Sequence, residues 1–236
     1  MSDTAGSDNP PSTVSYEVVD DVPAAFAAHV ADVAPSSIAF SGGSTARDAY
    51  SALAAQSSLD WSHIDVYWGD ERFVPVTDPD SNEGMTREML LDGVSPRNVF
   101  SMRGDARTPE EAAAAYDTIV RDAEGVELTH LGLGPDGHTC SLFPNTAALD
   151  VTDRWVTTNA DDEHPHPRLT FTYPAVAASS QVVFTVVGEE KRAAYDGVRR
   201  HDHSLPAARI RAPHILWLTD PAAAGSWESG AEILRD

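Results

Sequence analysis

The chain has 236 residues, 42% of them hydrophobic, and a formal charge of −21 from 37 acidic against 16 basic residues. Such a chain can bury the core of one large α/β domain, and its acid excess argues against nucleic acid and anionic membranes as partners. No apolar run approaches the roughly 18 residues of a membrane helix, and the N-terminal MSDTAGSDNPPST has neither the basic nor the apolar part of a signal peptide, so a cytoplasmic protein is expected.

Residues 1–14, rich in Ser, Asp and Pro, read as a disordered acidic tail ahead of a single domain over residues 15–236. A helix is predicted from Pro23 to Ala34. Ser37-Ile38-Ala39-Phe40 is a short strand, and it breaks into Ser41-Gly42-Gly43-Ser44-Thr45 before a helix that begins at Ala46. A strand, a Gly-Gly turn with hydroxyls and a helix start make an anion cradle, because free amides at a helix N-terminus point outward with partial positive charge. The competing reading is an ordinary turn capped by Ser44 or Thr45.

Ile64 to Trp68 is the next strand, followed by Asp70-Glu71-Arg72, either a solvated turn or a site in which the carboxylates hold the Arg72 fork ready for phosphate. Helices are predicted over Glu83–Asp92 and Pro109–Ala123, with a short strand from Asn98 to Met102 between them. Leu128 to Leu133 is a buried strand that runs into Gly134-Pro135-Asp136-Gly137, which cannot continue it. His138 follows at once, as a base with Asp136 as its orienter; the competing reading is a satisfied loop histidine. Gly132, Gly134 and Gly137 also match the dinucleotide fingerprint, but Pro135 removes an amide and Pro144 stops any helix within two turns, so that reading is rejected.

Trp155–Thr158 and Arg168–Thr172 are strands of an excursion from the main sheet. Gln181 to Val187 is a strongly β-forming run ending at Gly188, and the helix from Glu189 to Val198 carries Lys191, the only lysine, where a cation opposes the helix dipole. His214–Leu218 is the last strand, ahead of a terminal helical segment. The pairs His164/His166 and His201/His203 each lack a third ligand nearby in sequence and read as solvated loops, so no metal is expected, and no cofactor. Cys140, the only cysteine, cannot form an internal disulfide and reads as a packed residue. The scarcity of lysine beside abundant Arg, Ala, Asp and Glu fits a GC-rich genome or a salt-adapted cytoplasm.

Repeated strand-then-helix order implies a mostly parallel, doubly wound sheet with helices on both faces. In such a sheet the strand C-termini share one edge, where ligands bind, and the segments at Gly42-Gly43, Asp70-Arg72, Asp136-His138 and Gly188-Lys191 all follow strand ends.

The motifs FSGGST, WGDERFVP with DSN, LGLGPDGHTCSLFP, PRLTFTYPA, VGEEK, LPAARI and WLTD stand in the order found in the 6-phosphogluconolactonases, which the chain resembles from end to end. It departs from them at Ala46, Cys140, Asn145 and Arg192, where the family usually has proline, alanine, glycine and alanine. The resemblance implies a Rossmann-like fold, shared with the glucosamine-6-phosphate and ribose-5-phosphate isomerases. It also implies hydrolysis of 6-phospho-D-glucono-1,5-lactone in the oxidative pentose phosphate pathway. Expected roles are His138 and Asp136 in catalysis, with Gly42, Gly43, Ser44, Thr45, Asp70, Arg72 and Lys191 binding a small sugar-phosphate lactone in a monomer or small homo-oligomer. The alternatives are a sugar-phosphate isomerase or deaminase of the same fold, a non-catalytic sugar-phosphate-binding protein, and a serine hydrolase, disfavoured because Ser44 lies outside a G-x-S-x-G elbow.

Overall fold

The computed structural model describes residues 11–234. In chain order the elements are β1 (Ser12–Val18), α1 (Val22–Val33), β2 (Ser37–Phe40), α2 (Ser44–Ala54), β3 (Asp65–Trp68), β4 (Asp70–Arg72), α3 (Asn82–Met89), β5 (Asn98–Val99) and α4 (Pro109–Asp122). Then follow β6 (Leu128–Gly132), β7 (Val156–Asn159), β8 (Arg168–Phe171), α5 (Tyr173–Ala177), β9 (Gln181–Val186), α6 (Arg192–Arg199), β10 (His214–Thr219), α7 (Pro221–Ala224) and β11 (Gly230–Leu234). Local chemistry sets several of these boundaries. The Thr108 hydroxyl accepts from the Glu111 amide at 3.2 Å while the Glu111 carboxylate reaches back to the Arg107 amide at 3.1 Å, so α4 opens on reciprocal caps with Pro109 in its first turn.

An eight-stranded sheet has the order β11-β1-β10-β9-β6-β2-β3-β5, and every pairing in it is parallel except that of β11 with β1. From β2 the chain winds outward through β3 to β5, then returns to β6 and winds the other way through β9 to β10. Right-handed crossovers therefore put α1 to α3 on one face and α4 and α6 on the other, as the doubly wound expectation requires. The direction reverses between β2 and β6. That is the crevice in which an open parallel sheet binds its ligand.

Two ends of the chain differ from expectation. Residues 1–10 of the expected tail lie outside the described residues, but Ser12 to Val14 belong to β1. That strand pairs on both sides, with β10 and β11, and buries Ser12, Val14 and Tyr16. The expected terminal helix is reduced to the single turn α7. After Gly225, at φ 63°, the chain comes back as β11 antiparallel to β1.

Asp70 to Arg72 is neither a solvated turn nor a clamp on Arg72. It is β4, the edge of a three-stranded antiparallel sheet β4-β8-β7 formed by the excursion. Glu71, 2% exposed, caps α3 instead. Its Oε1 accepts from the amides of Arg72 (2.7 Å) and Asn82 (2.8 Å), and its Oε2 from the Glu83 amide (2.8 Å) and Ser81 Oγ (3.0 Å). Burial pushes its carboxyl up to about 7 while these donors pull it down. Glu71→Gln replaces one accepting oxygen with an NH₂ group aimed at donors. It should cost about 1–3 kcal/mol, the penalty for stranded buried polar groups, read as a lower urea midpoint at unchanged m-value.

Candidate active site

The loops after β9, β6, β2 and β3, four adjacent strands, surround a cavity of about 290 Å³. All nine expected site residues except Asp136 line it, and Asp136 touches it through His138.

Gly43, at φ 96°, is the N-cap of α2, and no side chain caps this helix, so neither Ser44 nor Thr45 closes the turn as the competing reading required. The first amides of an 11-residue helix are left facing the cavity. Gly42 is fixed by its neighbour, since a Cβ there would lie 1.9 Å from Asn82 Oδ1. Asn82 in turn donates to the Asp70 carbonyl at 2.9 Å, and Asp70 Oδ2 accepts from Ser141 Oγ at 2.7 Å. Asp70 is 6% exposed and serves as a brace between the cradle and the loop after β6.

His138 Nδ1 lies 2.6 Å from Asp136 Oδ1, which also accepts from the His138 amide at 3.2 Å. Partial burial works against the Asp136 charge, but the hydrogen bond and charge of His138 outweigh it and hold the carboxyl down to about 2. The loop backbone makes this contact possible. A Cβ on Gly134 would sit 2.2 Å from His138 Nδ1, and Gly137 takes φ 83°, so both positions require glycine. With Nδ1 bonded to the carboxylate, Nε2 is the nitrogen left for a ligand.

Arg72 donates to the Asp80 carbonyl at 2.6 Å and has no ion-pair partner among the described residues, so the expected carboxylate support for it is absent. Directly across the small sheet, in register with it, stands Arg168, a residue the sequence reading passed over. Arg168 is 5% exposed and lines the cavity, yet its Nε and Nη1 are buried without a partner among the described residues. Desolvation first, and then the nearby Arg72 charge, lower its pKa. Two guanidinium groups paired across strands repel, and a buried one without partners is costly unless an anion completes it. Lys191 reaches the same cavity from a 3₁₀ turn that follows Gly188. Acidic as the chain is, its cavity gathers three cations.

The loop before β8 also enters the site. His164 was expected in solvent, but its ring stacks on Phe143 at 3.9 Å and 6°, with Nδ1 2.9 Å from Asp161, while His166 pairs with Asp80 at 3.1 Å. Phe143 in turn meets His138 edge-on at 5.1 Å. His201 pairs with Glu232. Among the described residues no group of three His, Cys, Asp or Glu side chains is placed to hold a metal. Cys140 is buried, with its thiol pushed up by desolvation and its sulfur against Gly69, in keeping with a packing role.

The family model for glucosamine-6-phosphate isomerases/6-phosphogluconolactonase matches residues 10–217. The chain belongs to this family. It is 42% identical to the 6-phosphogluconolactonase of a Nostoc species over 210 residues, covering 83% of this chain and 84% of that one. A Synechocystis 6-phosphogluconolactonase is 40% identical over 208 residues, with 82% and 85% covered. Among solved structures, the 6-phosphogluconolactonase of Thermotoga maritima superposes with a TM-score of 0.77 at 26% identity, covering 88% of this chain and 99% of that one. The Rossmann-like expectation is met by these relatives and by the sheet itself. No described helix is long and apolar enough to cross a membrane.

Proposed function

We propose that this chain is a hydrolase that opens 6-phospho-D-glucono-1,5-lactone to 6-phospho-D-gluconate in the oxidative pentose phosphate pathway. The observation that carries the reading is the pairing, in one cavity, of a carboxylate-oriented imidazole with an anion site made of amides and unpaired cations. The described elements from β1 (Ser12–Val18) to β11 (Gly230–Leu234) form the single domain that does this.

The phosphate lies against the amides of Gly43, Ser44 and Thr45, with Arg168, Arg72 and Lys191 as its positive wall. His138 Nε2 takes a proton from water as the water oxygen bonds to the lactone carbonyl carbon, and Asp136 holds the ring and stabilises its charged form. Donors on the cavity wall stabilise the carbonyl oxygen as it becomes negative. The carbon to ring-oxygen bond then breaks, and the ring oxygen takes the proton back from His138. The product is a ring-opened acid that ionises. A lactone is an activated ester, so this sequence needs no covalent enzyme intermediate.

An isomerase of the same family would need a carboxylate free to move a proton at C2. Asp70, a buried carboxylate of the cavity lining, already accepts from Ser141 and Asn82. Incubating the purified protein with freshly made 6-phosphogluconolactone and following acid release should show turnover far above spontaneous hydrolysis. Acid release at the spontaneous rate would overturn the reading.

A further inference from the structure

His130 lies in the middle of β6, on the cavity floor and fully buried, where an apolar side chain would satisfy the strand. Its ring packs 4.3 Å from that of Phe26 and 5.4 Å from that of Tyr50. Both nitrogens are engaged. Nδ1 is 2.8 Å from the Tyr50 hydroxyl, and Nε2 is 2.9 Å from Thr185 Oγ1 on the neighbouring strand β9. The Tyr50 hydroxyl in turn accepts from the Ser41 amide at 2.6 Å and lies 3.1 Å from the Ser41 carbonyl. One unbroken chain of polar atoms thus runs under the substrate cavity from the first residue of the cradle to the strand that leads to Lys191.

Burial fixes the protons that this chain contains. It drives the His130 pKa down to about 3, so the ring is neutral, with one donor nitrogen and one acceptor. It also raises the Tyr50 phenol well above its ordinary value, so that hydroxyl keeps its proton. Two acceptors lie within reach of the Tyr50 proton, the Ser41 carbonyl at 3.1 Å and His130 Nδ1 at 2.8 Å, and donation along the shorter contact sets the direction of the relay. The ring proton is then on Nε2 and is donated to Thr185 Oγ1. The Thr185 hydroxyl has no other hydrogen-bond partner among the described residues, and Thr185 lines the cavity, so with the ring proton on Nε2 the hydroxyl proton is left for a ligand oxygen.

We propose that His130 is a positioning residue for the lactone: through Tyr50 it holds Ser41 and the cradle in place, and through Thr185 it presents a hydroxyl donor to an oxygen of the sugar ring. This inference rests on the sugar-phosphate reading of the cavity. No charge is involved, so the floor stays neutral beneath a site whose walls are cationic. A donor on the floor favours an oxygen-rich ring over an apolar one.

The test compares His130→Leu, which fills the space without hydrogen bonds, with His130→Gln, whose amide supplies one acceptor and one donor. His130→Leu should raise KM for the phosphorylated lactone by about tenfold, the factor lost with one or two neutral hydrogen bonds, while kcat stays near wild type. His130→Gln should restore KM to within about threefold. A lower melting temperature with unchanged KM in both variants would make His130 a purely structural residue and overturn the proposal. The affinity for inorganic phosphate, measured by calorimetry, separates this from failure of the lactonase reading. It should fall in His130→Leu and recover in His130→Gln whether or not the lactone is hydrolysed, and equal affinity in all three proteins would sink the link to the cradle. Should the leucine variant not fold, ¹⁵N spectra of the wild type decide the direction of the relay. A proton on Nε2 supports it, and a proton on Nδ1 contradicts it.

Discussion

Replacing His138 with alanine should lower kcat by about 10²- to 10⁴-fold, the range for a lost general base, with a smaller effect on KM. The imidazole supplies a proton acceptor at the cavity together with a means of holding it, through the 2.6 Å contact with Asp136. On the proposed reading, substrate affinity comes from other elements, the start of α2, β8 and the turn after β9, so binding should survive the loss. Asp136→Asn costs less, because an amide still reaches Nδ1 while no longer favouring the charged ring. Against partial burial, the hydrogen bond and charge of His138 hold the Asp136 carboxyl down to about 2, so it stays ionised near neutrality, and its contribution should not vary there. Steady-state acid release measured on the two variants ranks them. A His138→Ala variant with near-wild-type kcat would remove the imidazole from the chemistry.

The parts of the site that could be read from the sequence share a local signature. At Ser41-Gly42-Gly43, at Gly134 to His138 and at Gly188, an apolar run stops at glycine beside a group with chemistry. In a parallel sheet such strand ends meet at one edge whatever the side-chain packing. Arg168 carries no such signature. It opens a strand after prolines, and it is buried by its pairing with β4, nearly a hundred residues away in the chain. His130 was absorbed into the apolar run of β6 for the same reason, since its partners Tyr50 and Thr185 lie 80 and 55 residues away. At the C-terminus the sequence GAEIL has the Ala, Glu and Leu of a helix, and pairing with β1 overrides that preference. The carboxylates of Asp70 and Glu71 were placed correctly in space but not in role. Adjacent charges suggested a clamp on Arg72, whereas the fold uses one to brace the cradle and the other to cap α3.

Arg168 gives the second large effect, and it should change activity and stability in opposite directions. In the free protein the buried guanidinium faces Arg72 with two nitrogens unpartnered among the described residues, an arrangement that costs stability until an anion arrives. Arg168→Met keeps the packing volume and removes that cost, so the free variant should melt no lower than the wild type. Its kcat/KM for 6-phosphogluconolactone should nevertheless fall by at least the 10- to 150-fold that one charge-assisted hydrogen bond is worth, because the fork can make two. Lys191→Ala, which removes a single ammonium donor, should fall within that range. Unphosphorylated glucono-1,5-lactone has no phosphate to lose, so both variants should turn it over about as poorly as the wild type does, and discrimination between the lactones shrinks. Phosphate binding provides a check independent of turnover. Inorganic phosphate in excess should raise the melting temperature of the wild type, because it binds only the folded state, and raise that of Arg168→Met much less. If Arg168→Met loses activity on both lactones alike, the guanidinium serves the reacting carbonyl. If it melts well below the wild type, Arg168 holds the small sheet together, and its unpartnered nitrogens do not mark a phosphate site.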